Sequence, residues 1–192
     1  MFNTRVMAID IGFRCSGLAL MEYQRQGQAW AWACLSSHTV VTGLDQAKRD
    51  LRKANVDMDA VAQHADQITA IMGHGQCSRM IVELPHGGAI NGRAMRAMAL
   101  ASAMIATIAR LSGYQVEYYS PRDGKLAACG KADASKDEMV RAMAKVWPNA
   151  FAKLRAKPLA EAVADALAIF QAARHGPLVK GVEVGARDDA RL

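Results

Sequence analysis

Three apolar runs in this chain are ended or interrupted by carboxylates, and that pattern limits what the chain can fold into. Asp10 lies in Val6-Met7-Ala8-Ile9-Asp10-Ile11-Gly12, and Glu83 lies in Met80-Ile81-Val82-Glu83-Leu84-Pro85. Glu161 and Asp165 share the run Glu161-Ala162-Val163-Ala164-Asp165-Ala166-Leu167-Ala168-Ile169. The first two runs have the length of strands, and the third reads as a helix. A carboxylate moved from water into apolar surroundings is costly unless it is paired or binds a metal. The pattern therefore points to acidic groups gathered around hard cations.

A chain of 192 residues, 52% of them hydrophobic, can bury a sizeable core. Its 24 Lys and Arg against 18 Asp and Glu leave a charge of +6. That surplus suits a polyanionic partner, although a solvated surface gives the same count. Cys15, Cys34, Cys77 and Cys129 form no C-x-x-C pair, and no histidine stands at zinc-finger spacing. They read as reduced thiols of a cytosolic protein. Asp10 interrupts the only apolar run near the start, so no signal peptide is expected. The most apolar long stretch, Ala97 to Ala109 between Arg96 and Arg110, reads as too short for a membrane span.

Along the chain, Arg5–Ile11 and Leu18–Tyr23 read as a hairpin about a Gly12-to-Gly17 turn, and Ala29–Leu35 with His38–Thr42 as a third strand. Leu44–Gly73 reads as a helix, Met80–Leu84 as a buried strand, and Pro85-His86-Gly87-Gly88 as a loop. Arg93–Leu111 is a helix apolar on more than one face, which places it centrally or at a subunit interface. Gln115–Tyr119 is a further strand. Ser135 with Glu138 forms a capping box that starts a helix running to Val146. Pro158 introduces the last helix, which Gly176-Pro177 stops. Residues 1–175 form one domain on this reading. Residues 176–192, with three charges of each sign, read as a flexible tail. The order β-β-β-α-β-α-β-α-α indicates an α/β protein with a mixed sheet flanked by helices.

Each acid has an ordinary alternative. Asp10 could be a polar residue at a strand end, but the apolar run before it and Gly12 after it favour metal or phosphate chemistry, since glycine lets a phosphate or backbone come close. Glu83 could pair with Arg79 or Arg93, yet an open loop after a strand C-terminus is a usual place for a site. Glu161 and Asp165 are about 40° apart around a helix axis. Among small and apolar neighbours, Asp165 is not expected to be simply solvated. Glu161, nearer the helix start, is also favoured there by the helix dipole. His38, His64, His74 and His175 show no ligand spacing and read as surface or core residues. Trp30, Trp32 and Trp147 read as packing residues.

Taken together, these motifs resemble the RuvC family of Holliday-junction resolvases, within the RNase H-like superfamily, over about residues 5 to 174. Ile9-Asp10-Ile11-Gly12-Phe13-Arg14-Cys15-Ser16-Gly17 looks like that family's first strand and turn. Glu83, with Asn91 and the long helix beyond, looks like its second acidic strand. Lys125 and Lys136 resemble its basic pair, and Ala164-Asp165-Ala166-Leu167-Ala168-Ile169 resembles its terminal motif. The chain departs from the pattern at Ala162, where the family carries an acid, with Glu161 one residue earlier. In the loop after Glu83, His86 is the only ring where relatives often carry an aromatic wedge.

The resemblance implies an RNase H-like fold with a mixed five-stranded sheet, and metal-dependent endonuclease cleavage of branched DNA such as four-way junctions. It implies two Mg²⁺ or Mn²⁺ ions held by Asp10, Glu83, Asp165 and Glu161, with Lys136 or Lys125 neutralising the phosphate. Oxygen-only ligands suit those ions and argue against zinc. Arg14, His86, Asn91, Arg93, Lys125 and Lys136 are the expected DNA contacts. The two-fold symmetry of a junction suits a homodimer, with the helix from Arg93 as its face. A bacterial cytoplasm, or that of a virus-infected host, is the expected location, with no membrane association. Two other readings stand beside this one. Asp-Ile-Gly followed by Gly17 also resembles the phosphate-binding turn of actin-like and sugar-kinase ATPases. A non-catalytic module that binds branched nucleic acid could share the fold.

Overall fold

The structure is a computed structural model that describes residues 3–42, 53–84 and 92–190. Apolar alternation sets its frame. Strands β1 (Arg5–Asp10), β2 (Cys15–Gln26), β3 (Ala29–Val41), β4 (Arg79–Glu83) and β5 (Gln115–Tyr119) form one sheet of order β3-β2-β1-β4-β5. β1, β4 and β5 run parallel, while β2 is antiparallel to both β1 and β3. β3 is the expected third strand and runs continuously through residues 36 and 37, with a register shift opposite Leu20 and Met21.

Successive strand residues face opposite sides of a sheet, and here both sides are apolar. Met7, Ile9, Leu18, Leu20, Val40, Met80 and Val82 face α1 (Lys53–His74) and α2 (Gly92–Ser112). Val6, Ala8, Ala19, Met21, Tyr23, Trp32 and Ile81 face the opposite set of helices: α3 (Pro121–Cys129), α4 (Lys136–Val146), α5 (Pro148–Phe151), α6 (Lys157–Ala173) and α7 (Pro177–Asp189). The first nine residues of the helix expected over Leu44–Gly73, positions 44–52, lie outside the described residues, as does the Pro85–Gly88 loop.

The central helix is α6, not α2. Every residue from Ala162 to Phe170 is buried, as befits a helix apolar all round. α2 buries one face through Ala101, Met104, Ile105, Ile108 and Ala109, while Met95, Ala99, Ala103, Ala106 and Leu111 are exposed. By length and composition alone α2 could cross a membrane, since its window Ala94–Ser112 has mean hydropathy 1.4. The window is longer than the apolar stretch Ala97 to Ala109 because Arg96 and Arg110 fall inside it. In the fold, α2 connects the paired strands β4 and β5 and packs on their sheet, alongside α1.

α6 comes unusually close to β2. A Cβ on Gly17 would lie 2.0 Å from the carbonyl oxygen of Ala162, so only glycine fits. We expect Gly17→Ala to push α6 off the sheet and to lose about 3 kcal/mol of unfolding free energy, at the upper end for a strained core insertion. Urea unfolding measures that loss. A change below about 0.5 kcal/mol, the usual range of a neutral surface substitution, would contradict the close approach.

The segment expected to be a tail is helix α7. Val179, Val182 and Ala186 are buried against the sheet. Trp32 Nε1 donates to Glu183 at 2.9 Å, and Arg187 donates to the Tyr23 hydroxyl at 2.6 Å. The amide of Leu178 donates to Glu117 at 3.1 Å, which ties the start of α7 to β5. Gly181 and Gly185, poor helix formers, hide this short amphipathic pattern in the sequence. The capping box from Ser135 to Glu138 forms as expected, and Ser120 with Asp123 makes a second one that starts α3.

Candidate active site

Register brings the acids together. Asp10 ends β1 and pairs in parallel register with Glu83, which ends β4, and Glu83 in turn pairs with Tyr119 at the end of β5. Asp10 follows Ala8 by two residues and Glu83 follows Ile81 by two, so both carboxylates lie on the α6 side. Asp165 stands in the middle of α6, with its side chain 7% exposed. The C-terminal ends of parallel strands and one central helix thus present three acids to one another.

Lys136 completes the group. It is the first residue of α4, where the helix dipole disfavours a positive charge. Its ammonium nonetheless reaches inward and donates to Asp165. Asp137 and Glu138 in the same first turn, with the Ser135 cap, hold that end of the helix. Lys125, half-buried on α3, adds positive potential at Glu83 and Asp165. Lys131 instead pairs with Glu138 at 2.6 Å.

The electrostatics show a group short of positive charge. Burial, then repulsion from Asp165, pushes the Asp10 carboxyl up to about 7, against the pull of Lys136. Burial, then Asp10 and Asp165, pushes Glu83 up to about 9. Burial raises Asp165 as well, although Lys136 opposes it. Burial disfavours the Lys136 ammonium, yet Asp165, Asp10 and Glu83 outweigh that and hold its pKa above the ordinary lysine value. Groups shifted by burial together with specific charged neighbours mark a candidate functional site.

Glu161 is half-buried and adds negative potential at Asp165, while lying 3.9 Å from Lys157. Arg14 is exposed on the turn beyond Asp10. His86 and Asn91 lie outside the described residues, as does the side chain of Arg93. Ser16, in the turn motif, and His64, one of the histidines without ligand spacing, sit beneath the Asp10 turn and are buried. All four cysteines are free thiols.

The donor chemistry fits a hard divalent cation: all the acids offer oxygen, and their repulsion is what such an ion would relieve. As the side chains stand, no three His, Cys, Asp or Glu among the described residues converge closely enough to hold one ion. The Lys136 ammonium lies against Asp165 and supplies part of the missing charge.

A sheet of this order, with β2 antiparallel, helices on both faces and acids at the ends of neighbouring strands, defines an RNase H-like fold. Within that class, the chain is similar to RuvC from Thermus thermophilus, with a TM-score of 0.65 at 22% identity, covering 90% of this chain and 96% of that one. It is similar to the T. thermophilus RuvC in complex with Holliday junction substrate, with a TM-score of 0.64 at 20% identity and the same coverages. The yeast mitochondrial Holliday junction resolvase gives a TM-score of 0.55 at 13% identity, over 95% of this chain and 85% of that one. No family model matches the chain, and no curated protein matches its sequence. At these identities the likeness establishes a RuvC-like fold.

Proposed function

We propose that this chain is a metal-dependent endonuclease that cleaves branched DNA, with four-way junctions as its substrate. The observation that carries the reading is the convergence of Asp10, Glu83 and Asp165 with Lys136 at the ends of two parallel strands, in a fold shared with RuvC. Two of the similar structures are named as Holliday junction complexes or resolvases, which supports the choice of substrate.

Asp10, Glu83 and Asp165 would hold Mg²⁺ or Mn²⁺, with Glu161 in support from the preceding turn of α6. A two-ion site supplies an activated water and charge stabilisation for the leaving 3′ oxygen of an in-line displacement. The chain's own groups do the remaining work. The ends of β1 and β4 fix Asp10 and Glu83 side by side, and packing of α6 on Gly17 fixes Asp165 above them. Lys136, swung from Asp165 to a phosphate oxygen, offsets charge that develops on the phosphate. Lys125 and Arg14 lie on the rim, where they can guide the strand. Phosphate contacts of this kind make binding fall as salt rises.

The exposed face of α2, with Met95, Ala99, Ala103, Ala106 and Leu111, supports a homodimer that presents two sites to a two-fold-symmetric junction. Free thiols and a soluble substrate suit the cytoplasm.

Incubation with end-labelled four-way junction and matched linear duplex tests the reading. With Mg²⁺ or Mn²⁺ the junction should be nicked in paired strands, at least about tenfold faster than the duplex, which corresponds to about 1.4 kcal/mol of discrimination. EDTA should abolish cutting. Binding of the junction without cleavage in either metal would indicate a non-catalytic module. ATP turnover without cleavage would favour the actin-like reading.

A further inference from the structure

The turn that leads from Asp10 into β2 is braced from the face of the sheet opposite the acids. Ser16 is fully buried and faces α1, on the side shared by Leu18 and Leu20. Its hydroxyl accepts from the Gly12 amide at 3.2 Å and donates to the Gly12 carbonyl at 3.1 Å. His64, on α1 and 1% exposed, places Nε2 3.1 Å from that hydroxyl.

The hydrogen-bond network favours one tautomer of the imidazole. Ser16 has one hydroxyl hydrogen, and when the Gly12 carbonyl receives it, Nε2 carries a hydrogen and donates to the Ser16 oxygen, which satisfies all three groups. Burial holds the His64 pKa below its ordinary value and so favours the neutral ring, which in this tautomer leaves a bare lone pair on Nδ1. Nδ1 is buried without a hydrogen-bond partner among the described residues. Buried acceptors of this kind are rare and unfavourable. Val61 and Ile68 lie one helical turn to either side and pack into the apolar core, so a leucine at 64 would fill the space without that cost. The described polar contact that the ring does make is to the hydroxyl that closes the Asp10 turn.

The turn is held at two places. Thr42, beyond the end of β3, ties residues 13 and 14: its amide donates to Arg14 at 3.1 Å and its hydroxyl to Phe13 at 3.4 Å. Ser16 binds both backbone polar groups of Gly12, two residues from Asp10. Gly12 itself cannot carry a side chain, because a Cβ there would lie 2.2 Å from the Cys15 carbonyl oxygen.

We infer that His64 is a positioning residue, which acts through Ser16 to hold the Gly12 turn in the shape that aims Asp10 at Glu83 and Asp165. The inference rests on the metal-site reading proposed above. His64 touches neither metal nor substrate. It orients a ligand through two intervening groups, as outer-shell partners do in metal sites generally.

The test uses the full chain and reads Mn²⁺ binding by calorimetry together with thermal melting. His64→Leu should melt at or above the wild-type temperature, because the orphaned acceptor is gone. It should bind Mn²⁺ about tenfold or more weakly, the scale of outer-shell changes. His64→Gln, whose amide can donate to Ser16, should recover most of that affinity. Ser16→Ala should weaken Mn²⁺ binding as His64→Leu does, though with a lower melting temperature because it leaves buried groups of Gly12 and His64 unpaired, and the double variant should bind no more weakly than either single one. Wild-type Mn²⁺ affinity in His64→Leu, or a Gln variant no better than the Leu variant, overturns the inference. Asp10→Asn separates the two levels. If it loses Mn²⁺ binding while His64→Leu keeps it, only the positioning role fails. If it binds Mn²⁺ like the wild type, the metal site fails and the positioning role with it. Should both His64 variants fail to fold, imidazole nitrogen NMR of the wild type decides. A hydrogen on Nε2 with Nδ1 bare supports the role, and the opposite tautomer overturns it.

Discussion

Asp10→Asn is expected to stop junction cleavage in Mg²⁺ while leaving junction binding in place. The substitution keeps the shape of the side chain and removes one charge at the point where β1, β4 and α6 meet. Removing a single preorganised donor from an active site lowers turnover by about 10²- to 10³-fold, and loss of a ligand charge should cost at least as much. An acid that repels two neighbours is poised to gain most from a cation and to lose most without its charge. Binding rests instead on basic groups that meet phosphates, and Lys125, Lys136 and Arg14 are untouched. Affinity should hold or tighten slightly, since one negative charge near the phosphate is gone. Single-turnover cleavage and gel-shift titration on one junction measure the two effects. Cutting at near wild-type rate in Mg²⁺ would remove Asp10 from the site.

Metal-free protein is expected to lose stability as pH rises from 6 to 9, and Mg²⁺ is expected to restore it. Asp10 is raised from 3.8 to about 7 and Glu83 from 4.5 to about 9 in the folded state. Groups raised on folding contribute stability that is fully present below their unfolded pKa values. That stability is lost as pH climbs through the folded values, because the native state must then give up protons it holds more tightly than the unfolded chain does. On the acid side Glu138 works the other way: bonding to Lys131 and to the Ser135 cap holds it at about 2, so its contribution is lost as pH falls from about 4.5 toward that value. The melting temperature in EDTA should therefore be highest near pH 4 to 5, where the two trends cross, and lower by roughly 5 °C at pH 9 than at pH 6, a drop of about 2 kcal/mol for a chain of this size. Divalent ions bind the deprotonated acids of the folded chain alone and stabilise it by mass action. The gain from Mg²⁺ should accordingly grow with pH. Asp10→Asn should flatten both the EDTA profile and the Mg²⁺ response. Melting curves across pH, with EDTA or Mg²⁺, measure it. A flat EDTA profile from pH 6 to 9 would show that the acids do not repel one another as described.

Much of the site was legible because its signals are local. Asp10 and Glu83 each follow an apolar run of strand length, and Asp165 sits among alanines and aliphatic residues where solvation is improbable on composition alone. The Ser135 capping box announced the start of α4, and therefore the position of Lys136. The sequence leaves elements open, or hides them, where the local pattern is ambiguous. α2 and α6 are both apolar over most of their surface, so which of them is central depends on the sheet each packs against. α7 carries two glycines and alternating charge, and it is held by partners far away in the chain: Trp32 and Glu183 are separated by 151 positions.

By itself, then, the sequence determined the kinds and order of the main elements and the identity of the acids, because hydrophobic period, caps and turn residues act over a few neighbouring positions. Tertiary structure alone decided which strand residues face each other, that Asp10 aligns with Glu83, and that α6 rather than α2 lies over them. It alone decided that Lys136 reaches Asp165 and that His64 meets Ser16 across 48 positions. Strand register and helix docking are properties of pairs of elements. Their energy comes from surfaces buried between segments distant in the chain, and a pattern read along one segment does not contain it.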